Sequence, residues 1–298
     1  MTRLAVVLAA LLIFSAGVLL FRPMILALVR TEEREPAPEN WWPVIARAVP
    51  LVSRLGPDER DRLLSLTREL ITTCHWEGCG GLSLTTGMQA VIAAQASLLE
   101  LGRPGVLFPN LKEILVYPTT FVPGKNADLR KWRAERERGP ELGEAWSTGT
   151  IVLAWDDSVL GSSDPVDGHN VVLHEFAHLL DYEGRLTTRF SLMPRNPMTG
   201  DAADPIPEVG NPEQWKRLIT ESYERFCALS EQAETPPVFD RYAMTNEAEF
   251  FAVATEAFFE KPGEFGATFP ELFEAFRGYY RQDPRRLHGF GSGNSGEG

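Results

Sequence analysis

Val171-Val172-Leu173-His174-Glu175-Phe176-Ala177-His178-Leu179-Leu180 is an apolar run interrupted by three ionisable side chains. Its apolar positions recur with helical periodicity, and residues four apart on a helix share a face. His174 and His178 can therefore reach one metal ion, with Glu175 beside them where a metal-bound water would sit. Two His ligands and a Glu general base at this spacing form the H-E-x-x-H arrangement of zinc metalloproteases. As an ordinary amphipathic helix, the segment would bury ionisable groups that seldom go inside without partners or a metal. Histidine is also scarce, with five in 298 residues, so a pair at ligand spacing around a Glu stands out.

A catalytic zinc takes three protein ligands and keeps one position open. The longer pattern H-E-x-x-H-x-x-G-x-x-H fails here: Asp181 stands where Gly is required, and no His follows until His288. The third ligand is then a carboxylate on another helix. Thr245–Glu260 (TNEAEFFAVATEAFFE) is the obvious donor, although it lacks an E-x-x-x-D pattern. Glu249 and Glu256 lie seven apart on one face, and Glu260 follows near the helix end. The residues alone leave Glu249 and Glu256 open. Asp181, seven after His174, is a candidate to orient a ligand's second ring nitrogen, with a plain exposed acid as the alternative. Glu256 has the same two readings, orienting or structural. His169 points off the ligand face.

Around this motif, 44% hydrophobic residues suffice for a sizeable core. A net charge of −12 excludes sequence-independent nucleic-acid binding, which needs a basic surface. Three cysteines (Cys74, Cys79, Cys227) make no disulfide framework and lean towards a reducing compartment. Cys74, His75 and Cys79 offer a weak second metal cluster; buried free thiols are the favoured reading. At the N-terminus, Leu4–Phe21 is eighteen residues without a charge. About twenty apolar residues span a bilayer, so residues 1–30 read as an uncleaved transmembrane anchor rather than a signal peptide. Arg22, Arg30 and Arg34 outnumber Arg3, which puts the domain in the cytoplasm at the inner membrane.

The remaining organisation is a Pro-rich charged linker at 31–40, a folded domain at 41–288 and a disordered Gly/Ser-rich tail at 289–298. Helices are predicted within Trp41–Leu55, from Gly56-Pro57 to Thr73, over Met88–Leu101 behind a Thr85/Thr86 cap, and over Val166–Asp181. Further helices are predicted at Pro212–Gln232, Thr245–Glu260 and Phe269–Arg281. Glu113–Tyr117 and Thr150–Trp155 read as strands, and Leu82–Leu84 as a short alternating segment. Residues 184–212, without periodicity after the motif helix, are a candidate lid. The predicted fold class is α+β, mainly helical, with a small sheet against the motif helix.

Several blocks occur in order: Trp76-Glu77-Gly78-Cys79-Gly80-Gly81-Leu82, Ile92-Ala93-Ala94-Gln95-Ala96, Ile114-Leu115-Val116-Tyr117-Pro118, Asn170–Asp181, Ala248–Phe259 and Tyr280–His288. Through them, residues 41–288 resemble the Mlc titration factor A family of bacterial zinc metallopeptidases. The active site of that family is similar to that of the anthrax lethal factor protease domain. The resemblance implies a zincin-like domain holding one zinc ion. It implies Glu249 as the third ligand beside His174 and His178, and Tyr242, seven residues before it, as a catalytic residue with Glu175. It further implies aminopeptidase-type cleavage of short peptides and a protein partner, the glucose-responsive repressor Mlc. The sequence thus predicts a membrane-anchored, zinc-dependent peptidase. The alternative is a catalytically weak zinc protein that sequesters a regulatory partner at the membrane.

Overall fold

A computed structural model describes residues 41–103, 107–119, 121–122, 127–128, 149–186, 212–233 and 238–289. All of them fall in the unit Glu39–Gly298. The chain enters through α1 (Trp42–Ala48) and a 3-10 turn at Pro50–Arg54, then α2 (Pro57–Thr73). Helix α2 starts as its sequence dictates. Pro57 occupies the first turn, where its missing N–H costs nothing, and Glu59 reaches back to accept from the Gly56 N–H at 3.1 Å.

Strand β1 (His75–Gly78) follows, then α3 (Thr86–Glu100), which Thr85 caps by accepting from the Met88 N–H. Strand β2 (Glu113–Tyr117) pairs parallel with β1, so α3 is the crossover between them. A short antiparallel pair, β3 (Phe121–Val122) and β4 (Ala127–Asp128), precedes β5 (Thr150–Ala154). Strand β5 joins β2 in parallel, which completes a three-stranded sheet in the order β1-β2-β5.

The second half is helical: α4 (Trp155–Ser163), the motif helix α5 (Val171–Leu186), α6 (Pro212–Gln232), α7 (Glu247–Glu260), α8 (Pro262–Thr268) and α9 (Pro270–Tyr280). Helix α5 packs on α3, β5 and α7. Helix α7 is mostly apolar and buried from Glu249 to Glu260, with Phe250, Phe251, Val253, Ala254, Phe258 and Phe259 all inside. A helix of that kind lies inside a domain. Aromatic rings from α7, α8 and α9 surround it, among them Phe265, Phe276 and Tyr280. Any polar group on α7 is consequently taken inside with it.

One prediction is corrected. No helix among the described residues is long and apolar enough to cross a membrane. The most apolar ones, α3 and α7, have 15 and 14 residues. At about 1.5 Å per residue they reach only about 22 Å, short of the roughly 30 Å hydrocarbon core. The longest, α6, has 21 residues but carries charges throughout, including Lys216, Arg217, Glu221 and Glu224. The transmembrane anchor, the membrane as a partner and the inner-membrane location are therefore not carried further. Leu4–Phe21, the linker at 31–40, residues 187–211 of the candidate lid and the tail beyond Gly289 lie outside the described residues.

Candidate active site

The site begins with the start of α5. That helix opens at Val171, five residues later than the pattern predicts, because Asn170 takes the capping position. The Asn170 Oδ1 accepts from the Leu173 N–H at 3.0 Å, satisfying one of the donors that a helix start leaves open. From there the helical repeat carries His174 and His178 inward on one face, with their rings in edge contact at 4.7 Å between centroids. Both are buried, as is Glu175 between them in sequence.

Helix α7 supplies the carboxylates. Asn246 caps it by accepting from the Ala248 and Glu249 N–H groups, which places Glu249 in the first turn. The Glu249 carboxylate, wholly buried, meets both histidines: Oε2 lies 3.1 Å from His174 Nε2, and Oε1 lies 3.3 Å from His178 Nε2. The two Nε2 atoms are 3.1 Å apart. Bonds of about 2.0–2.1 Å to a tetrahedral zinc separate the donors by roughly 3.3–3.4 Å. The three donor atoms of this cluster thus have the spacing and chemistry of a site that holds a metal ion.

Electrostatics agree with a cation here. Burial opposes charge on His174, but hydrogen bonds to Glu249 and Glu256 outweigh it and hold the imidazole pKa well above its usual value. Burial likewise opposes charge on Glu249, and its contacts with His174 and His178 overcome that and keep its carboxyl well below the carboxylate range. Two carboxylates around one imidazole favour positive charge at this point, whether a proton or a divalent ion supplies it.

The remaining predicted residues are placed as follows. Glu256 lies outside the three-donor cluster, where its Oε1 accepts from His174 Nδ1 at 2.8 Å and its Oε2 from the Asn170 N–H at 2.5 Å. Glu260 lies one turn further along, its Oε1 accepting from Asn170 Nδ2 at 3.1 Å. Burial pushes Glu260 up to about 9 against the Asn170 hydrogen bond, and the charges of Glu256 and Asp167 add to the rise. Tyr242 sits in a 3-10 turn (Arg241–Met244) capped by Asp240, its ring centroid 6.0 Å from that of His174 and its side chain partly open to solvent. The charge of Asp181, further along α5, acts on Tyr279. Asn170 has a role that the sequence reading missed, although an Asn just before an apolar helical run is a cap signature.

The cysteines make no metal cluster among the described residues. Cys74, Cys79 and Cys227 are free. His75 instead groups with Glu77 and Glu113 on the open face of the sheet.

Two histidines four apart with a downstream glutamate make this the active-site architecture of a gluzincin-type zinc metallopeptidase. Comparison with known proteins points the same way. The model of a family described as glucose-regulated metallo-peptidase M90 matches residues 27–281. An uncharacterized protein of Synechocystis is 31% identical over 255 residues, covering 84% of this chain and 86% of the relative. Mlc titration factor A of Serratia proteamaculans is 32% identical, over 85% of this chain and 91% of its own length. Mlc titration factor A of Klebsiella pneumoniae (strain 342) is 32% identical, over 80% and 85%.

Proposed function

The chain belongs to the glucose-regulated metallo-peptidase M90 family, and from that premise we propose that it hydrolyses peptide bonds with one zinc ion held by His174, His178 and Glu249. The observation that carries this reading is the convergence of those three donor atoms in a buried pocket that favours positive charge. When bound, zinc supplies Lewis acidity, polarising a peptide carbonyl and lowering the pKa of water.

The chain's own residues do the rest. Glu175, next to His174 on the motif helix, takes a proton from water and returns it to the leaving amine. The Tyr242 hydroxyl donates to the oxyanion that develops on the carbonyl, a contact stronger in the transition state than in the ground state. The partial exposure of Tyr242 suits a residue on the wall of an open cleft. The substrate class is short peptides cut in aminopeptidase fashion, and the peptidase domain is residues 41–288. A protein partner of the Mlc type enters this proposal through the name of the relatives, Mlc titration factor A.

Glu175→Gln separates peptidase from sequestering protein. The variant should retain zinc by metal analysis and lose hydrolysis in a peptide-library digest. Cleavage equal to the parent's would rule out this mechanism.

A further inference from the structure

Glu249, Glu256 and Glu260 follow one another at intervals of seven and four along α7, so all three lie on one face. Across from them stand His178 and His174 on α5 and Asn170 at its cap, at intervals of four. As numbering rises along α7 it falls along α5, so the helices run antiparallel and the two rows interleave. Glu249 spans His178 and His174, Glu256 spans His174 and Asn170, and Glu260 meets Asn170.

We propose that Glu256 is a positioning residue for the metal centre, itself held by Asn170 and Glu260, and that this clamp fixes the tautomer and ring orientation of His174. The proposal rests on the metal-centre reading above. A carboxylate only accepts, so the contact to Oε1 puts a proton on His174 Nδ1 and turns the Nε2 lone pair towards Glu249 and His178. The other oxygen, Oε2, is committed to the Asn170 N–H, so the carboxylate cannot rotate away without losing a bond.

Asn170 is fixed in turn. One side-chain atom caps α5 through Leu173, and the other donates to Glu260. Asn170, Glu256 and Glu260 are 3%, 6% and 2% exposed, so solvent does not stand in for a lost partner. A neutral Glu260 beside Glu256 also avoids two negative charges in one buried pocket.

The test uses the full chain with zinc as the probe. Affinity is read by competition with a chromogenic chelator, and the His174 Nδ1–H by its downfield proton resonance. Glu256→Gln keeps the shape but can accept through only one atom. It should weaken zinc binding about 10- to 100-fold and shift or remove the resonance. Asn170→Ser keeps a helix cap and the backbone N–H but loses the link to Glu260. It should give a smaller loss of affinity and move the same resonance.

A merely structural network would lower the melting temperature of the metal-free protein and leave zinc affinity and resonance where they are. That result would overturn the proposal while the metal centre stands. A parent chain that binds no zinc would overturn both. Should Glu256→Gln fail to fold, a folded Asn170→Ser variant with parental affinity and resonance overturns the proposal by itself.

Discussion

Among the described residues, a histidine meets two or more carboxylates in two places, and they behave as opposites. On the sheet face, His75 lies 4.0 Å from Glu77 and 3.8 Å from Glu113, its cross-strand partner in the β1–β2 register. Its side chain is 64% exposed, against 9% for His174. Between α5 and α7, His174 touches Glu249 through one nitrogen and Glu256 through the other, and both acids are anchored from behind by a cap or a hydrogen bond. Residue types alone do not separate these clusters. Burial does, because it strips away water and the screening that makes exposed pairs nearly worthless. Anchoring adds to it, because it prepays the ordering of each side chain.

The largest effect should come from Glu249→Ala, which removes one of three donors from the buried cluster. Tightly bound zinc should fall at least about 100-fold in affinity and peptide hydrolysis should disappear, measured by chelator competition and a digest. If His75→Ala did the same, burial would not be what separates the two clusters. Next comes Tyr242→Phe. Loss of one oxyanion donor typically costs about 10²–10³ in kcat. The decrease should appear in kcat, with KM and zinc content close to those of the parent.

A third prediction concerns pH. Glu260 holds its proton up to about 9 in the folded chain and releases it near its ordinary value of 4.5 when unfolded. Between those values the folded state binds more protons, so this group's contribution to stability falls as pH rises, by at most about 1.4 kcal/mol per unit. It levels off above about pH 9. In Glu260→Gln the slope is absent. The melting temperature of the metal-free variant should therefore rise relative to the parent's from pH 5 to pH 9, and parallel curves would contradict the burial argument. The smallest effect belongs to the sheet cluster: Glu113→Ala should change stability by no more than about 0.5 kcal/mol, with zinc stoichiometry at one per chain.

Much of the helical framework is legible in the residues. Pro57, Thr85 and Asn246 mark starts that rest on local capping chemistry, and Glu113–Tyr117 carries the strand pattern plainly. The misses have physical causes. Strand β1 (His-Trp-Glu-Gly) has little β character of its own and exists because β2 lies beside it. Helix α4, with Gly161 and three serines in nine residues, shows no apolar repeat. Helix α8 contains two glycines in seven residues and is held by the aromatic rings around Phe265.

The site divides along the same line. His174, Glu175 and His178 follow from sequence because a helix places residues four apart on one face whatever surrounds it. Glu249 and Glu256 sit on one face of α7 with equal claims, and local periodicity cannot rank them. Their ranking depends on how far α7 is shifted along α5. That shift is set by the packing of Phe-rich surfaces distant in sequence, and it brings Glu249 to both Nε2 atoms and leaves Glu256 behind the His174 ring. Helical spacing along the chain determined the metal-binding pair; only the packing of two helices decided which acid meets it and which one holds it in place.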